Sequence, residues 1–78
     1  MQYQIETTSQ IGFLVREKRK SMGLTQVNAA GLLGVGVRFL SELENGKQSV
    51  SLEKVIQVMQ GLGLQLLVET EKQGGHYE

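Results

Sequence analysis

The sequence predicts a mainly α domain, four to five short helices followed by one C-terminal strand. Three observations carry that expectation. Apolar residues recur at helical spacing in four separate windows between positions 8 and 62. Each window opens on a threonine, a serine or a glycine, and glycine follows its end. After Gly63 the period shortens to two, with Leu64, Leu66 and Val68 alternating with Gln65, Leu67 and Glu69.

Each element has its own local cause. Residues 1–7 precede the first pattern and are expected as an N-terminal arm. Thr7 and Gln10 have the spacing of a capping box, and Ile11, Leu14, Val15 and Met22 follow as an apolar stripe, so a first helix is expected over 8–22. Thr25 caps the next run, Gln26 to Leu33, which is rich in alanine and leucine. Gly31 within it costs about 1 kcal/mol relative to alanine. Gly34 ends that second helix. A third helix is expected over 37–45, with Leu40 and Leu43 inward and Asn45-Gly46 as its stop. A fourth is expected over 52–62, capped by Ser51, with Glu53 favourable to the helix dipole and Leu52, Val55, Ile56, Met59 and Leu62 as its stripe. The strand spans 64–70, and 71–78 reads as a flexible polar tail.

Composition then excludes whole classes. A chain of 78 residues holds one domain, and at this size only about 60% of the unfolded surface is buried on folding. Zero cysteines remove disulfides and thiolate zinc sites, and His76 is the single histidine, so no metal is expected. An apolar share of 40% is too high for a disordered chain. No apolar run approaches the ~20 residues that span a bilayer, and MQYQIETTSQ lacks the basic start and apolar stretch of a secretory signal. The expectation is therefore a cytoplasmic protein without a membrane partner. An enzyme is not expected: the chain has no aspartate, no Cys/His pair, and no histidine beside Ser41 or Ser51. Gly34-Val35-Gly36 is too short for a phosphate-binding loop, so no cofactor is expected.

Charge is zero overall and segregated along the chain. Residues 12–47 carry Arg16, Lys18, Arg19, Lys20, Arg38 and Lys47 against Glu17, Glu42 and Glu44. Glu6 precedes this basic core, and Lys54 and Lys72 are outnumbered after it by Glu53, Glu69, Glu71 and Glu78. A segment with a surplus of three positive charges is a candidate binding face.

The span from Thr25 to Gly46 makes that face more specific. A helix opening Thr-Gln, a glycine turn, and a second helix two residues later describe a helix-turn-helix, whose second helix enters the DNA major groove. Gly23-Leu24-Thr25-Gln26, Ala30, Gly34-Val35 and Leu43-Glu44-Asn45-Gly46-Lys47 together resemble the lambda-repressor-like, Xre-type helix-turn-helix family over residues 8–63. The GLGL turn and apolar strand that follow are similar to the HipB-like antitoxin branch. The resemblance implies that Gln26 fixes the protein on the DNA backbone and that Asn45 and Lys47 form a second phosphate clamp. It also implies that Arg19 and Glu44 tie the first helix to the end of the third. Val37, Arg38, Ser41 and Glu42 are the candidate groove residues: arginine takes guanine bidentately and valine suits a thymine methyl. Gly36 departs from the family, in which serine or threonine usually caps the third helix, and Phe39 is bulky for a position beside the groove.

A terminal strand in an otherwise helical chain exposes unpaired backbone groups and the apolar Leu64, Leu66 and Val68. Pairing with its copy in a homodimer satisfies both, and the resemblance implies the same; packing on the fourth helix or on residues 2–6 is the alternative. A two-fold dimer sets two recognition helices about 34 Å apart, matching a palindromic operator in double-stranded DNA. Sequence-specific repression follows as the expected function. The resemblance adds an antitoxin role toward a HipA-like toxin kinase with autoregulation; the alternative is a stand-alone phage-type or metabolic Xre regulator.

Overall fold

The structure, a computed structural model, describes residues 1–71. The expected tail lies outside them except for Glu71. The helices are α1, Thr8–Ser21, α2, Gln26–Leu33, α3, Val37–Glu44, and α4, Leu52–Gly61. Met22, Asn45 and Leu62, expected as last helical residues, are instead the C-caps. The caps explain where the helices begin. The Thr7 hydroxyl accepts from the Gln10 amide at 3.3 Å while Gln10 Oε1 accepts from the Thr7 amide at 3.0 Å, which completes the capping box. Thr25 and Ser51 each accept from the amide three residues on, at 3.0 and 3.3 Å.

α1 packs on α3, α3 on α2, and α2 on α4. Their shared core is Val15, Ala29, Ala30, Leu40, Leu43, Val55, Val58, Met59 and Leu62. The buried face of α4 is therefore Val55, Val58 and Met59, continued by Leu62 at its C-cap. Leu52, expected on that stripe, is 64% exposed in the first turn, and Met22, beyond the last turn of α1, is 49% exposed. Ala29 and Ala30 are fully buried, and their small side chains let α2 lie close to its neighbours.

Residues 64–70, expected as a strand, have no regular structure in the single chain. A strand exists only through ladder hydrogen bonds to a neighbour, and among the described residues neither α4 nor residues 2–6 provide one. Leu64 packs against the core, whereas Leu66 is 45% exposed and Val68 is 91% exposed.

One close approach fixes α1 against α3. Gly12 is buried, and a Cβ there would fall inside contact distance of the Leu43 and Glu44 carbonyl oxygens. Both are backbone atoms and cannot swing aside. At Gly61 an added Cβ meets only a Leu33 methyl, the tip of a flexible side chain. Gly12→Ala should therefore destabilise by about 1–3 kcal/mol and lower the melting temperature followed by circular dichroism. Gly61→Ala should shift it clearly less; equal shifts would contradict the backbone contact.

Candidate nucleic-acid interface

The helix-turn-helix is set by a buried polar joint. Arg19, in the last turn of α1, donates from Nε to Glu44 Oε2 at 2.6 Å and from Nη2 to Glu44 Oε1 at 2.9 Å. Its Nη1 donates to the Leu24 carbonyl at 2.7 Å. Gln26, the first residue of α2, donates from Nε2 to Glu44 Oε1 at 2.9 Å. Arg19 and Glu44 side chains are only 10% and 2% exposed. The joint thus unites the end of α1, the following loop, the start of α2 and the end of α3. Burial pushes the Glu44 carboxyl upward, but hydrogen bonds from Arg19 and Gln26 and the charges of Arg19 and Arg16 outweigh it, leaving its pKa below the ordinary glutamate value. The hydrogen bond to Glu44 raises the Arg19 pKa against the effect of burial.

The turn between α2 and α3 has a second support. Gly34 adopts φ +75°, and the Val35 amide returns to the Ala30 carbonyl at 3.1 Å, closing the helix end. From α4, Gln57 Nε2 donates to the Leu33 carbonyl at 2.7 Å and the Gly34 carbonyl at 3.3 Å. Carbonyls left free by the end of α2 are thereby satisfied. Gly36 then opens α3 without a side-chain cap.

α3 divides into two faces. Leu40 and Leu43 are buried, and Phe39 packs partly on the core with the Lys54 ammonium 5.7 Å from its ring centroid. Phe39 therefore belongs to the scaffold side. Val37 and Arg38 are exposed, and Ser41 and Glu42 are half-buried beside them. Glu42 accepts from Arg38 Nε at 3.3 Å and from Lys47 Nζ at 3.3 Å. The bond from Lys47, together with Arg38, outweighs desolvation and holds the Glu42 pKa below its ordinary value.

The segment after α3 is equally constrained. Gly46, at φ +81°, lets the Lys47 amide reach the Glu42 carbonyl at 3.0 Å, and its own carbonyl accepts from Thr8 Oγ1 at 2.9 Å. Asn45 and Lys47 are exposed there. The structure thus brings Arg38, Glu42 and Lys47 into one cluster and places Gln26 on Glu44; it leaves Leu64, Leu66 and Val68 in a separate segment after α4.

Three supporting residues were missed in the sequence. Gly12, Gln57 and Thr8 carry no local signal for their roles, because each acts on a backbone far away in the chain. A missing capping side chain or a glycine inside an apolar stripe gives at most a hint of such a contact.

A helix-turn-helix family model matches residues 15–68. A relative from Sinorhizobium fredii, described as the uncharacterized HTH-type transcriptional regulator y4mF, is 48% identical over 63 residues, 81% of this chain and 83% of that protein. Among solved structures, a chain of the HipA-HipB-O2-O3 complex superposes with a TM-score of 0.79 at 22% identity, over 91% of this chain and 100% of that one. The restriction-modification controller protein C.AhdI from Aeromonas hydrophila gives 0.65 at 28% identity, over 74% of this chain and 88% of its own.

The buried joint sets a pH dependence with a definite sign. A carboxyl whose pKa is lower in the folded than in the unfolded chain stabilises the fold fully above the unfolded value, ~4.3 for glutamate. That contribution is lost as pH falls through the lower folded value. Urea unfolding should show stability decreasing below this range. Glu44→Gln should be destabilised by about 3–5 kcal/mol at neutral pH and show a shallower acid dependence; an unchanged acid slope would remove Glu44 as its source.

Proposed function

The chain belongs to the helix-turn-helix family of transcriptional regulators, and we propose that it is a sequence-specific repressor that acts as the antitoxin of a kinase-like toxin and controls its own operon. The observation that carries the DNA-binding part is α3. Its exposed side chains Val37 and Arg38 stand on a helix packed against both α1 and α2, with the exposed Lys47 in the turn that follows it.

In this reading Arg38 takes a guanine and Val37 contacts a thymine methyl, while Ser41 and Glu42 border the same bases. Gln26 lies at a helix N-terminus, where free amides and the positive end of the dipole attract phosphate. Its hydrogen bond to Glu44 orients it there. Asn45 and Lys47 provide the second phosphate contact. The partner assignment is supported by the likeness to HipB, which was solved in complex with HipA. The homodimer is supported by the exposed Leu66, Leu67 and Val68, which a second copy would cover.

Footprinting on the DNA upstream of its own gene, with and without the co-encoded neighbour, tests the whole reading. Absence of both a footprint and a co-purifying kinase-like partner would remove it. Arg38→Ala should cost about 1–3 kcal/mol on the preferred site and relax preference at one base position. Lys47→Ala should weaken binding to all duplexes and flatten the salt slope by about one. Wild-type affinity in both variants would exclude α3 as the reading element. Leu66→Glu should sediment as a monomer; an unchanged dimer would exclude pairing through residues 64–70.

A further inference from the structure

Arg38 is unusual among the groove-facing candidates in the way it is held. It lies on the first turn of α3 with its side chain 91% exposed, yet its Nε is engaged, donating to Glu42 Oε2 at 3.3 Å. Among the described residues its two Nη groups have no hydrogen-bond partner in the chain. The division matters chemically. Bidentate recognition of guanine O6 and N7 uses two donors of the guanidinium fork, and a carboxylate on Nε leaves the Nη pair available. Glu42 is itself restrained. Its side chain is 31% exposed, its other oxygen accepts from Lys47 Nζ at 3.3 Å, and the Lys47 backbone is tied to the Glu42 carbonyl at 3.0 Å. A single carboxylate thus links the first turn of α3 to the segment that leaves it.

We propose that Glu42 is a positioning residue for base readout: by holding Arg38 through Nε, and being held by Lys47, it presents the Nη fork outward and ready for guanine. This rests on the DNA-binding reading above and adds to it a source of discrimination. A long arginine loses rotamer freedom when it binds, and one already restrained loses less. The same carboxylate opposes phosphate, so it disfavours duplexes that offer the fork no guanine. A purely structural role for Glu42 would alter neither effect.

The test uses the full-length chain, a duplex carrying the footprinted site, the same duplex with the contacted G·C pair changed to A·T, and an unrelated duplex of equal length. Glu42→Ala, with folding checked by circular dichroism, should lower the G·C over A·T preference by about tenfold. It should also bind the unrelated duplex a few-fold tighter, with a steeper salt dependence. In an Arg38→Ala background the same substitution should change the base preference by less than about twofold, because the effect passes through Arg38. An unchanged preference in Glu42→Ala overturns the proposal, as does an equally large loss in the Arg38→Ala background. A wild-type chain that binds none of the duplexes removes the DNA-binding reading itself, which is visible before any variant is made.

Discussion

The Arg19–Glu44 ion pair is the constraint on which the geometry of the first three helices depends. A buried charge pair gives little net stability by itself, because desolvating two ions offsets most of their attraction. Its value lies in direction. Arg19 holds the two Glu44 oxygens through Nε and Nη2 in a planar bidentate pair, and Leu24 and Gln26 complete its hydrogen bonding. Among the described residues no buried side-chain polar atom lacks a partner. A different packing of α1 on α3 would leave the two charges unpaired, at a cost of about 3–5 kcal/mol, which is a large share of the net stability of a small domain. The close approach at Gly12 and the Thr8 bond to Gly46 lie along the same α1–α3 contact and reinforce one arrangement.

The chain is neutral overall because acidic residues outside positions 12–47 offset a basic central segment. Arg19 and Glu44 cancel inside the domain, so the surplus positive charge between positions 12 and 47 belongs to the other residues of that segment. Arg38 and Lys47 are the exposed cations of α3 and the turn after it, and both share Glu42. The face is therefore moderated rather than strongly basic. In the proposed reading such a surface would rely on direct base contacts as well as on attraction to phosphate, and its affinity would be sensitive to salt.

Residues beyond α4 follow a different logic. Leu64 closes the core, but the next apolar side chains extend into solvent. A chain of 78 residues with no disulfide available has little reserve of buried surface. A second copy that pairs with this segment would supply both the missing backbone partners and additional burial. In the proposed dimer the spacing of two DNA half-sites would follow from that pairing.

The sequence by itself determined whatever depends on near neighbours. Thr7, Thr25 and Ser51 start helices because their hydroxyls reach amides three residues away, and Gly34 and Gly46 end helices because they admit positive φ. The α3 sequence was equally legible, since Leu40 and Leu43 at one spacing leave Val37, Arg38, Ser41 and Glu42 on the other side. The motif pointed to Arg19 and Glu44 as a pair, but the tertiary structure decided that Gln26 joins the same carboxylate and that Glu42 joins Arg38 to Lys47. It also decided that Gly12 must lack a side chain, that Gln57 supports the turn, and that Leu52 and Met22 lie outside the core. Residues 64–70 had the alternation of a strand and formed none in the single chain. The reason is the same throughout: caps and turns are local hydrogen bonds, whereas buried partners, close backbone approaches and strand ladders need atoms brought together only by folding or by a second chain.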